Sequence, residues 1–73
     1  MPRKLRELRA ALKRAGCSVD RQAGSHQIWE HTLVPDFNVN LAGQDGADAK
    51  DYQEKQTREM LRRVARAKWG KMP

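Results

Sequence analysis

The chain predicts an α+β fold with the element order α-β-β-β-α, and three observations carry that prediction. Leucine and alanine recur at helical spacing near the start, and a longer apolar stripe does so near the end. Between them lie three short stretches rich in strand formers, one of them strictly alternating. Short connections then favour a three-stranded antiparallel meander with both helices on one face.

The first helix is expected over about residues 3–15, from Leu5, Leu8, Ala11, Leu12 and Ala15. Pro2 suits a first-turn position and Gly16 the residue just past the end. Arg3, Lys4, Arg6, Arg9, Lys13 and Arg14 coat the other faces, the ordinary dress of a solvated helix. The first strand covers about residues 17–22 with Val19 central, and Ala23, Gly24 and Ser25 form a turn. The second strand covers about 27–32 and carries Ile28 and Trp29. Val34, Pro35 and Asp36 read as a loop. The third strand, about 37–41, sets Phe37, Val39 and Leu41 on one face against Asn38 and Asn40. Ala42 to Lys50 is a loop rich in Gly, Ala and Asp, from which Asp48 or Asp51 can cap the last helix. Glu54 then stands where a capping box after Asp51 needs it. That helix spans about residues 50–68, its core stripe made of Thr57, Met60, Leu61, Val64 and Ala65 and extended by Tyr52 and Gln56. The tail from Trp69 to Pro73 is expected to fray.

Seventy-three residues make a single domain over 1–73. A chain of this size buries only about 60% of the surface its unfolded form exposes, so the core is small. Cys17 is the only cysteine, which excludes an internal disulfide. Cys17, His26 and His31 lack a zinc-ligand spacing, and Asp45, Asp48 and Asp51 lack the pattern of a calcium loop, so neither metal nor other cofactor is expected. Fifteen Lys and Arg against nine Asp and Glu leave a net charge of +6, which fits a nucleic acid or another polyanion as partner. No secretory signal and no stretch of roughly 20 apolar residues is present. With a lone cysteine, that fits a reducing cytoplasm and no membrane.

The candidate chemistry centres on Gly24-Ser25-His26 at the hairpin. An imidazole is the usual acid or base for reactions near neutral pH. Gly24 permits a positive φ or a close approach to phosphate, and Ser25 offers a hydroxyl and an amide. An ordinary turn with an exposed histidine explains the same residues. His26 and His31 are five apart, so a regular strand turns them to opposite faces and only one can act on a given substrate. Ile28 and Trp29 also point to opposite faces, which leaves one of them exposed for RNA or a protein partner. Phe37 and Cys17 fit the core. Arg58, Arg62 and Arg66 form a positive stripe that either tracks a phosphate backbone or is a solvated face held by Glu54–Arg58 and Glu59–Arg63 pairs.

GSHQIWEH, following a basic leucine-spaced helix and a strand ending in Asp-Arg-Gln, resembles the HicA (YcfA-like) family of toxin–antitoxin systems over about residues 3–66. The match falls on Gly24, Ser25 and His26, with the family's trailing histidine at His31 and its aromatic at Trp29. LAGQDGADAKDYQEK stands where many members carry a Pro-x-His segment, which marks a distinct branch. The resemblance implies a double-stranded-RNA-binding-domain-like fold and metal-independent cleavage of mRNA, with His26 catalytic. It also implies a HicB-like antitoxin covering the Gly24–His26 turn. Arg21 and Lys50 are the expected cations beside the scissile phosphate, from their nearness to the hairpin and loop. Two other readings use the same residues: an RNA-binding module that cuts nothing, and a basic protein that docks an acidic partner.

Overall fold

Three leucines on one side of the first helix start the core. The structure is a computed structural model and describes residues 3–70. Helix α1 (Leu5–Arg14) buries Leu5, Leu8 and Leu12, as the spacing requires. Its first turn is held by Lys4, whose N–H donates to Glu7 Oε2 at 2.9 Å while its carbonyl accepts the Glu7 N–H at 2.9 Å. The next free N–H groups, on Leu5 and Arg6, reach the carbonyls of Ala47 at 2.9 Å and Asp45 at 3.1 Å. The loop after the sheet thus satisfies donors that every helix start leaves unpaired.

The helix ends at Ala15, and Gly16 follows at φ +96°. A β-carbon at Gly16 would sit 3.1 Å from His31 Nε2. The backbone angle strains any side chain here, and the imidazole would have to yield to it. Gly16→Ala is therefore expected to cost about 1–2 kcal/mol, read as a lower midpoint in urea denaturation.

The sheet is an antiparallel meander in the order β1 (Ser18–Ala23), β2 (His26–His31), β3 (Val34–Leu41). On one face Trp29 lies between Val19 and Val39. Trp29, Val39 and Leu41 are buried there with the α1 leucines and with Met60 and Val64, so both helices cover this face. Trp29 is therefore the core member of its pair, and half-buried Ile28 lies on the open face. Cys17 is also buried, which pushes its thiol up from the ordinary value and makes it a poor nucleophile.

Strand β3 begins at Val34 rather than at Phe37. Trp29 faces Val39 but His31 faces Val34, so the register slips between those pairs. Pro35 lies in the slipped stretch, where its missing N–H interrupts no ladder bond. Helix α2 (Asp51–Trp69) starts from Lys50 as N-cap, not from Asp48 or Asp51. Gln53, rather than Glu54, closes the turn: its Oε1 accepts the Lys50 N–H at 2.8 Å, and its own N–H returns to the Lys50 carbonyl at 3.0 Å. Asp48 instead pairs with Lys4 Nζ at 2.6 Å.

That rotation of α2 buries Gln53, Thr57, Met60 and Val64 and turns Tyr52 and Ala65 to solvent. Gln53 is satisfied in the core because its Nε2 donates to the Ala42 carbonyl at 3.1 Å. Gln56 does not extend an apolar stripe; its Oε1 accepts the Asn40 N–H at 3.2 Å at the free edge of β3. Half-buried Phe37 carries Arg63 over its ring, 4.4 Å from the centroid. Glu59 accepts from both Arg62 and Arg63, and these bonds hold its carboxyl below the usual range. Trp69 closes α2 as its last residue, while Pro2 and the end of the expected frayed tail lie outside the described residues. No helix among the described residues is long and apolar enough to cross a membrane.

Candidate functional site

A two-residue turn, Gly24-Ser25, joins β1 to β2 and sets Ala23 opposite His26. Gly24 has φ +60°, whereas Ser25 stays at negative φ. Those signs belong to a type II′ turn, which matches the twist of the strands it joins. A β-carbon on Gly24 would meet nothing within 4 Å, so the turn is open to an approaching ligand on that side.

His26 is exposed, at the first position of β2. Strand alternation puts it with Ile28 and Glu30 on the face away from the helices. His31, as expected, takes the opposite side and is buried. Its Nδ1 accepts the Leu33 N–H at 3.0 Å, which leaves Nε2 to donate to the Ala15 carbonyl at 3.2 Å. With both ring nitrogens engaged, His31 is a structural link between β2 and the end of α1. His26 has no such partner among the described hydrogen bonds.

Arg21 reaches the His26 face by a bulge. Val19 pairs with Trp29 but Arg21 pairs with Ile28, so Asp20 is the extra residue on β1. Beyond the bulge Arg21 and Ala23 share a face with His26 and Ile28. Arg21 is thereby the diagonal neighbour of His26, at a spacing of about 7–8 Å that a long side chain spans. Lys50 is the N-cap of α2, and no described hydrogen bond or ion pair joins it to residues 23–26.

Ser25 is tied into the fold. Its Oγ accepts the Gly43 N–H at 3.2 Å, and its carbonyl accepts from Arg9 Nη2 at 2.9 Å. Arg9 also donates to the Gly43 carbonyl at 2.8 Å and pairs with Asp45 at 2.6 Å. One guanidinium from α1 therefore locks the hairpin turn to the loop after β3. Its side chain is only 14% exposed, and its Nε is buried without a partner. Sequence reading places Arg9 among the solvated cations; its position one turn after Leu5, bordering the apolar stripe, is the signal that marks it as inward. Arg9→Met keeps the stem but removes these bonds. It is expected to cost about 1–3 kcal/mol and to speed amide exchange at Gly43 and Ser25, measured by NMR.

A polar cleft lies beside this turn, lined by Arg9, Gln22, Ser25, Gln27, Gly43, Gln44 and Asp45. Two of its amides are linked. Trp29 Nε1–H donates to Gln27 Oε1 at 3.2 Å, Gln27 Nε2 to Gln22 Oε1 at 3.4 Å, and Gln22 Nε2 to the Gly24 carbonyl at 3.1 Å. Strand pairing sets Gln22 opposite Gln27, a juxtaposition that depends on the Asp20 bulge. On α2, Arg62 is held by Glu59, while the expected Glu54–Arg58 pair is not among the described ion pairs.

A sequence model of the family described as HicA toxin of bacterial toxin-antitoxin matches residues 5–66 of the 73. The match runs from the first residue of α1 through the hairpin and deep into α2. No curated protein and no solved structure matches the chain.

Proposed function

The chain belongs to the HicA toxin family of bacterial toxin–antitoxin systems, and from that premise we propose that it is an endoribonuclease that cleaves mRNA in the cytoplasm and arrests translation. The observation that carries this reading is the placement of His26. It is exposed, free of partners among the described hydrogen bonds, and mounted on a turn that Arg9 and Gly43 hold in place. A general base must be accessible, and the exposed His26 follows directly on a turn whose Ser25 is anchored to Arg9 and Gly43.

RNA supplies its own nucleophile. The neutral imidazole of His26 removes the proton of a 2′-hydroxyl, whose oxygen attacks the adjacent phosphorus as the bond to the 5′-oxygen breaks. The leaving 5′-oxygen takes a proton from solvent, and the products are a 2′,3′-cyclic phosphate and a 5′-hydroxyl. Arg21, on the same face, stabilises the charge that grows on the phosphate. Gly24 leaves the turn open to the backbone, and the Ser25 N–H is the adjacent amide donor. Lys50, at the N-cap of α2, is a second cation for the RNA backbone. No step requires a metal.

An antitoxin partner follows from the family, and a HicB-like protein covering Gly24 to His26 is the economical way to silence the site. The test is digestion of a long RNA by the purified protein in excess EDTA. Fragmentation supports the reading. Intact RNA from a protein that binds it returns the chain to a non-catalytic RNA-binding module of the same fold.

A further inference from the structure

We propose that the cleft beside the hairpin turn is a nucleobase-reading subsite, in which Gln22, Gln27 and Gln44 select the nucleotide next to the scissile bond. This inference rests on the ribonuclease reading and names what decides where such an enzyme cuts. The cleft measures about 260 Å³, near the lower end of small-ligand sites and suited to one ring system rather than a longer piece of chain. Its wall is built from three amide side chains, a hydroxyl-bearing turn, one guanidinium and one carboxylate. That is the lining of a site that reads hydrogen-bonding edges, since each amide presents a donor and an acceptor side by side.

Two of the amides are pre-oriented. The Trp29 indole can only donate, so Gln27 must turn its oxygen toward it. At the other end the Gly24 carbonyl can only accept, so Gln22 must turn its nitrogen toward that group. The link between them then runs from Gln27 nitrogen to Gln22 oxygen, the one arrangement consistent with both ends. Each amide keeps one N–H and one lone pair for a ligand, fixed in direction before the ligand arrives. Gln44, exposed on the loop, is the adaptable third member.

The location connects the cleft to the chemistry. Gln27 follows His26 directly, at a Cα separation of about 3.8 Å, and leaves the strand on the opposite face. A strand of RNA bent over the hairpin tip can present a phosphate to His26 while its neighbouring base turns into the cleft. The relay ends on the carbonyl of Gly24, so base recognition and the turn before His26 share a hydrogen bond.

The test maps cleavage sites on a random-sequence RNA pool for the wild type, Gln22→Ala and Gln44→Ala. The wild type is expected to prefer one base, or a pair sharing an edge pattern, beside the cut. Each variant should relax that preference by about tenfold while cutting at the same type of bond. Variants with wild-type preference would overturn the subsite and leave the ribonuclease reading intact. A binding measurement decides the matter even without cleavage: NMR titration with the four nucleoside 3′-monophosphates. Selective shifts of the Gln22, Gln27 and Gln44 side-chain amides by particular bases support the subsite. Equal shifts with all four, or none, overturn it.

Discussion

Replacing His26 with alanine is expected to slow RNA cleavage by about 10²–10⁴-fold, the usual worth of a positioned general base. The fold should be untouched, because the His26 side chain is exposed and makes none of the described hydrogen bonds. RNA affinity should also survive, since the net charge of +6 resides on lysines and arginines spread over both helices and β1. The comparison variant is His31→Ala, which removes the link between Leu33 and the Ala15 carbonyl and leaves a cavity under Gly16. That variant should lose stability first, and activity only as a consequence. Turnover by His26→Ala equal to wild type would remove His26 from the chemistry.

The largest effect on stability is expected from Trp29→Ala. Truncating a buried tryptophan costs about 3–5 kcal/mol, and the same change strips Gln27 of its indole donor. Whole domains are stable by only about 5–15 kcal/mol, and short ones sit at the low end. Trp29→Ala should therefore be largely unfolded near 37 °C, seen as a collapsed or absent thermal transition by circular dichroism. Trp29→Phe, which restores most of the volume, should recover a cooperative transition at a lower midpoint. A near-wild-type midpoint for the alanine variant would mean that the sheet and helices do not depend on this residue.

The element order was legible in the sequence because its two periodicities differ plainly. Leucines at helical spacing in α1, strict alternation from Phe37 to Leu41, and a glycine after Ala15 each have a local physical cause. The opposed placement of His26 and His31 was legible for the same reason: it needs only a regular strand. What the pattern could not carry is register. The bulge at Asp20 has no compositional mark, yet it decides that Arg21 lies beside His26 and that Gln22 faces Gln27. The slip around Pro35 likewise comes from β2–β3 pairing, and it extends β3 back to Val34.

Capping at α2 departs from the local pattern: Asp51 and Glu54 are good local choices, whereas tertiary packing favours burying Gln53 against the Ala42 carbonyl. Lys50, expected beside the hairpin from predicted proximity, stands at the N-cap of α2, after a loop that runs along the start of α1. Arg9 was lost among like charges. Its side chain is largely buried, and its head finds two carbonyls and a carboxylate. That same loop thus supplies acceptors for the first turn of α1 and the anchor of the hairpin turn.

The most direct measurement is the chemistry of the fragment ends left after RNA is digested in excess EDTA. Attack by a 2′-hydroxyl under base catalysis from His26 predicts 2′,3′-cyclic phosphates, or the 3′-phosphates they hydrolyse to, opposite 5′-hydroxyls. Fragments carrying 5′-phosphates and 3′-hydroxyls would contradict it, because water and not the neighbouring hydroxyl would then have been the nucleophile.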